Sequence, residues 1–168
     1  MFRSASAKTG LLAAVLVGGC GGPAVAQGTA FDPIAFFAGR TAGEGELKIL
    51  LKDAQPLRVQ GQGRVETDGT LVLDQQVRRG ERVLERRQWR MRKVGPNRYR
   101  GTLTDATGPV EIETRGNLLT IRYPMKGSMS VHQSLVLDGA GRTALNRMTI
   151  SKLGVPVARI IETIRKLD

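Results

Sequence analysis

The stretch Leu57-Arg-Val-Gln-Gly-Gln-Gly-Arg-Val65, followed by Thr67-Asp-Gly69 and then Leu71-Val-Leu-Asp-Gln-Gln-Val77, sets the reading of the whole chain. Leu57, Val59, Gly61, Gly63 and Val65 take every second position, with Arg58, Gln60, Gln62 and Arg64 between them. A period of two belongs to an extended strand with one apolar and one wet face. Thr67-Asp68-Gly69 supplies the residue types of a tight reversal, after which Leu71, Leu73, Gln75 and Val77 resume the alternation up to Arg79-Gly80. The segment reads as an antiparallel hairpin.

The same pattern extends both ways. Upstream, Leu47, Ile49 and Leu51 alternate with Glu46, Lys48 and Leu50; downstream, Arg82–Lys93 runs to the turn Gly95-Pro96-Asn97. Further strands fit Arg98–Asp105, Val110–Arg115, Leu118–Tyr123, Ser128–Leu137, Thr143–Ser151 and Val155–Ile164. In the last of these, Val157, Ile160, Ile161 and Ile164 also fit helical spacing, and the β-branched isoleucines favour a strand. Between strands no segment is long enough for a crossover helix, which excludes α/β architecture. The expectation is an all-β, antiparallel up-and-down β-barrel of about ten strands, since closure removes the exposed edges a meander leaves. A two-sheet sandwich is the alternative. Gly61, Gly63 and Gly101 suit the bends of a curling sheet.

Ahead of the strands, Phe31-Asp-Pro-Ile-Ala-Phe-Phe-Ala-Gly39 predicts a short helix. Asp32 is placed to cap it, Pro33 suits its first turn and Gly39 its left-handed stop. Phe31, Ile34 and Phe37 lie three apart, with Phe36 beside them, and would plug one end of the barrel. The expected division is residues 1–26 as a leader, 27–42 as linker and short helix, and 43–168 as the barrel.

The leader carries Arg3 and Lys8 before the apolar run Leu11–Val17. Seven residues make about 10 Å of helix, against a bilayer core of about 30 Å, so the run is a signal-peptide core rather than a span. Two processing sites compete: Val17-Gly18-Gly19-Cys20, with Cys20 the lipidation candidate, and Ala24-Val25-Ala26 before Gln27. Both imply export to the periplasm, and the first adds a membrane anchor.

Charge and composition narrow the chemistry. Residues 27–168 hold 24 Lys and Arg against 15 Asp and Glu, a balance that favours anionic partners such as a lipid surface or an acidic protein. Nucleic acid is disfavoured by the export signal and by few aromatics for base stacking. Cys20 is the one cysteine and His132 the one histidine, too few for a His/Cys zinc site. No G-x-S-x-G elbow and no phosphate-cradling Gly-rich loop occurs. On its strand His132 shares a polar face with Ser130 and Ser134. No catalytic residue, metal or cofactor is therefore assigned, and an enzymatic role ranks last.

Residues 78–100 hold ten Arg and Lys with only Glu81 and Glu85 as acids. Leu84, Arg86, Gln88, Arg90 and Arg92 share a wet face, while Val83, Glu85, Arg87, Trp89 and Met91 share the other. An inward Arg87 needs a partner. It pairs with Glu85 or Asp105, sits at the rim, or anchors the carboxylate or phosphate head of a ligand.

Several motifs together resemble a bacterial lipoprotein family of unknown function: Phe36-Phe-Ala-Gly-Arg-Thr-Ala-Gly-Glu-Gly45, Arg87-Gln-Trp89-Arg-Met-Arg-Lys, Tyr99-Arg-Gly101, Asp105, Gly116-Asn117 with Ile121-Arg-Tyr123, and Asn146-Arg-Met-Thr-Ile-Ser-Lys152-Leu-Gly154. The resemblance implies a lipocalin-like barrel tethered to the envelope, and relatives encoded beside fatty-acid-modifying enzymes imply a lipid-related task. Where relatives carry an Asp-Asp-Trp group, this chain reads Val131-His132-Gln133-Ser134-Leu135. The resulting expectation is a barrel that binds an apolar or amphipathic, lipid-type molecule. Trp89, Met91, Tyr99 and Tyr123 would shape its cavity, and Arg87 or Asn146 would meet a polar head. The alternative is an interaction protein whose basic face docks an acidic partner or anionic membrane surface. Mass spectrometry of the mature N-terminus is expected to show a lipid-modified Cys20, and a free Gln27 would remove the anchor.

Overall fold

The computed structural model describes residues 29–168; the leader, its two processing sites and Cys20 lie outside them. A short helix, α1 (Pro33–Phe37), precedes ten strands: β1 (Gly39–Ile49), β2 (Gln55–Val65), β3 (Leu71–Arg79), β4 (Glu85–Gly95), β5 (Arg98–Leu103), β6 (Val110–Arg115), β7 (Leu118–Met125), β8 (Met129–Leu137), β9 (Thr143–Lys152) and β10 (Val155–Lys166). Each strand pairs antiparallel with its sequence neighbours, and β10 returns to pair with β1. This is the expected closed up-and-down barrel, and the sandwich alternative is excluded.

Closure runs from Thr41 opposite Lys166 to Ile49 opposite Ala158, so β1 and β10, the first and last strands, leave no open edge. Inward residues of every strand merge into one core that includes Leu47, Leu57, Leu73, Ile112, Leu119, Leu135 and Ile160. Burying each such side chain contributes about 1.5–3 kcal/mol. That core begins at Phe31 and every strand is paired on both sides, so the barrel closes entirely within residues 29–168.

The helix forms as its sequence predicts. The Asp32 carboxylate accepts hydrogen bonds from the amides of Ile34 (2.9 Å) and Ala35 (3.2 Å), and Gly39 turns the chain out with φ +83°. Phe31, Phe36 and Phe37 are buried while Ile34 is only half-buried, so Phe36 rather than Ile34 completes the plug. Edge-to-face packing links the three rings, with centroids 5.2 Å and 4.9 Å apart. Lys166 donates to the carbonyls of Phe36 and Ala38, tying the end of β10 to the plug.

Several details differ from expectation: β4 begins at Glu85 rather than Arg82, leaving Val83 in a turn rather than on the inner face, and β5 ends at Leu103 rather than Asp105. β1 starts at Gly39, ahead of the expected Gly43, because the helix ends directly in a strand. Leu51 is not a strand residue: it sits in the β1–β2 turn with φ +61°. In β10 it is Ala158, Ile160, Glu162 and Ile164 that point inward, leaving Ile161 exposed.

The glycines of the curling sheet serve close approach. At Gly63 an added Cβ would collide with the Phe37 carbonyl oxygen, so the helix sits directly on bare β2 backbone. Gly63→Ala is expected to cost on the order of 2 kcal/mol or more, lowering the thermal midpoint by several degrees. Gly69→Ala, with nothing within 4 Å of its Cβ, is the control for turn strain alone.

Candidate functional site

Inward alternation on five strands gathers polar groups into the middle of an otherwise apolar barrel. Gln75 of β3 lies opposite Arg87 of β4, and Asn146 of β9 lies opposite Glu162 of β10. Gln133 of β8 joins them from a third direction. Together with Trp89, Met91, Phe37, Val59, Leu73, Ile121 and Ile164 they surround a cavity of about 30 Å³. That volume holds a water-sized group. It does not hold an acyl chain with the side chains as they stand.

Arg87 points inward as expected, but its principal partner is neutral. Its Nε donates to Gln75 Oε1 at 3.0 Å, and Trp89 Nε1 donates to the same oxygen at 2.8 Å. Asp105 stands 3.9 Å from Arg87 Nη1, a long contact. The other expected partner, Glu85, faces Arg79 instead at 3.0 Å. A guanidinium whose side chain is 16 % exposed, with one neutral acceptor and one distant carboxylate, retains donor capacity toward the interior. Trp89 packs edge-to-face on Tyr123 at 5.8 Å. Burial pushes the Tyr123 phenol up, against the opposing charge of Arg87.

Across the barrel, Asn146 Nδ2 donates to Glu162 Oε2 at 2.9 Å. Both residues are buried. Glu162 finds room because β1 offers a bare backbone opposite it: a Cβ on Gly43 would strike the Glu162 carboxyl. Burial raises the Glu162 carboxyl above the ordinary glutamate range, opposed by the Asn146 hydrogen bond and by Arg87. Gln133 Oε1 and Asn146 Oδ1 are buried without hydrogen-bond partners, leaving two acceptors in the lining of the cavity for a donor-bearing guest.

Of the residues singled out from sequence, Arg87, Trp89, Met91 and Asn146 line the cavity, and Tyr123 supports Trp89 from behind. Tyr99 does not join them. It is buried near the plugged end, where burial and the charge of Asp32 raise its phenol, and Lys93 lies over its ring at 5.8 Å. Gln75, Gln133 and Glu162 were not foreseen. The available signal was a single polar residue in an otherwise apolar every-second-residue row, as in Ala158, Ile160, Glu162, Ile164. Among the described residues no three His, Cys, Asp or Glu side chains gather as a metal site would require.

Outside the barrel, strands β1 to β4 form a concavity of about 820 Å³, lined by Arg40, Gln60, Gln62, Asp74, Gln76, Arg86 and Gln88 among others. Register sets Gln62, Asp74 and Gln88 in one row across three strands, and Gln88 donates to Asp74 at 2.7 Å. The expected wet face of β4 is exposed. Arg90 on it is held by Glu66 at 2.6 Å.

A ten-stranded closed antiparallel barrel with a short helical plug is lipocalin-like. Two solved structures share the shape. The S-type phycobiliprotein lyase from Guillardia theta superimposes with a TM-score of 0.65 at 5% identity, over 80% of this chain and 90% of its own. A protein of unknown function from the DUF3598 family of Nostoc punctiforme does so with a TM-score of 0.60 at 12% identity, over 83% of this chain and 50% of its own. At such identities the likeness is one of fold. No relative was found among curated proteins. The chain belongs to the family described as protein of unknown function DUF3833, whose pattern matches residues 14–166.

The raised Glu162 pKa has a consequence for stability. The folded state holds this proton more tightly than the unfolded chain, so the associated stability is full below about pH 4.3, the unfolded value, and is lost as pH rises through the folded value. Glu162→Gln is expected to match the wild type near pH 4 and to be more stable than it at pH 7–8, measured by thermal unfolding across pH. A wild type equally stable to the variant at both pH values would remove the buried-acid assignment.

Proposed function

We propose that this protein is a binding protein for a small amphipathic molecule carrying a carboxylate or similar anionic head. The observation that carries the reading is Arg87: an inward guanidinium anchored by Gln75, lining one cavity with the unpartnered acceptors of Gln133 and Asn146. Arg87 supplies charge and fork geometry to the anionic head, and the two free acceptors suit a hydroxyl or amide donor carried beside that head, since a carboxylate itself only accepts. The open volume is small, so the apolar body enters only as side chains around the cavity move. Met91 beside the cavity, and Met125 packed against the core, suit that role, since unbranched thioethers repack at low cost.

A lipid-type ligand fits the envelope setting suggested by the leader, in which Arg3, Lys8, the Leu11–Val17 run and Cys20 follow the order of a tethered, exported protein. The likeness to a phycobiliprotein lyase supports a bilin-type acid as a second ligand class and keeps an enzymatic use of the site within this reading. A non-catalytic interaction role is the second reading. It is favoured by the outer concavity, whose 820 Å³ far exceeds the interior space and whose glutamine rows suit a polar partner surface.

Trp89 is the one tryptophan of the chain and lines the cavity, so its emission reports occupancy directly. Titration with dodecanoate is expected to shift Trp89 emission saturably, and Arg87→Met to weaken that binding by about tenfold or more. Dodecanol, without the carboxylate, is expected to bind the two proteins alike. Unchanged emission with both compounds would overturn interior binding in favour of the interaction reading.

A further inference from the structure

At the end of the barrel opposite the plug, the turns carry apolar side chains where turn chemistry calls for glycine or polar residues. Leu50 and Leu51 form the tip of the β1–β2 turn, Val83 lies in the β3–β4 turn, and Leu153 and Val155 flank the β9–β10 turn. Leu51 is 95%, Val83 87% and Leu153 79% exposed. Leu51 and Leu153 also hold left-handed backbone, with φ +61° and +51°, a conformation costly to a branched side chain and natural to glycine or asparagine. Both penalties stand without contacts in the molecule to offset them.

The three turns are neighbours. β1 pairs with β10 and β2 with β3, so the tips occupy one continuous arc of the rim, and the Leu50 amide bonds the Val157 carbonyl at 2.8 Å across two of them. Below this arc the outward positions are cationic. Lys48 lies opposite Arg159, Arg58 lies opposite Arg78, and Arg86 follows on β4. None of the five forms a salt bridge among the described residues, although opposed like charges on paired strands are unfavourable. Lys52, Arg82 and Lys152 add charge in or beside the turns, against Asp53 and Glu81.

Apolar tips over a cationic collar match the depth profile of a lipid interface, with hydrocarbon below and anionic headgroups above. From this we infer that the rim arc of the β9–β10, β1–β2 and β3–β4 turns docks into the surface of an anionic phospholipid bilayer. Leu51, Leu153 and Val83 enter the acyl boundary, and Lys48, Arg58, Arg78, Arg86 and Arg159 meet phosphate. The barrel then stands with its unplugged end toward the membrane. This docking does not depend on what the interior binds.

The test is vesicle flotation of residues 27–168, which lack the leader, with phosphatidylcholine vesicles alone or containing roughly 30% phosphatidylglycerol. Each composition is run at about 50 mM and about 0.5 M salt. Binding is expected to be strongest with phosphatidylglycerol at low salt. Leu51→Asn/Leu153→Asn is expected to lower apparent affinity by about tenfold or more while keeping or raising the thermal midpoint, because asparagine accepts the left-handed backbone. Failure of the wild-type barrel to float with either vesicle would overturn the inference, as would undiminished flotation of the double variant. A fall of several degrees in the variant's midpoint would overturn it by making the leucines structural. A wild-type dimer in sedimentation that the double variant abolishes would overturn it in favour of self-association.

Discussion

Everything in this molecule depends on the hydrogen-bonded pairing of β1 with β10. A ten-strand meander has two edges, each a row of unpaired amides and carbonyls, until its first and last strands meet. Their register, Thr41 with Lys166 through Ile49 with Ala158, closes the sheet and gives it an inside. Strand parity makes that register consequential. A slip of one residue would send Ile161 inward and turn Glu162, Ile160 and Ile164 to solvent. The same pairing brings Gly43 beneath the Glu162 carboxyl and Lys166 to the carbonyls that end the helical plug. Closure, plug and polar interior are thus one geometric arrangement.

Inside, the barrel departs from what stability alone would select. An apolar filling at Gln75, Arg87, Gln133, Asn146 and Glu162 would avoid the desolvation of a guanidinium and a carboxyl. The chain instead carries a network that is only partly satisfied, with two buried acceptors unpaired and an acid pushed toward its neutral form by burial. Under the proposed binding role, such a network selects a small polar head, and the apolar residues around it suit a hydrocarbon body. Only about 30 Å³ stands open, so the proposed binding requires side chains around the cavity to move.

Outside, charge is distributed unevenly. Arg64, Arg79 and Arg90 are neutralised by acids on neighbouring strands or turns. The arginines toward the unplugged rim, Arg58, Arg78 and Arg86, are not, and they stand under turns that expose leucine and valine. The glutamine rows of the β1–β4 concavity form a third, polar surface, whose charged residues are mostly arginines with Asp74 among them.

The alternation of Leu57–Val77 and its continuation through the chain determined strand type, strand count and antiparallel order by itself, because period two and turn chemistry are local properties. Asp32, Pro33 and Gly39 likewise marked the helix ends, and parity placed Arg87, Trp89 and Met91 on the inner face before any coordinates. Which inner residues meet is not local. Gln75 as the partner of Arg87 and Glu162 as the partner of Asn146 depend on the register of two hairpins, and the gathering of both pairs with Gln133 around one cavity depends on closure across strands far apart in sequence. Pattern gave no volume either: cavity size depends on how side chains from ten strands fill a common interior, a sum that no single strand carries. Sequence periodicity determined what faces inward, and tertiary closure decided what those inward groups touch, since contact across a barrel is set by the registers of all its strands together.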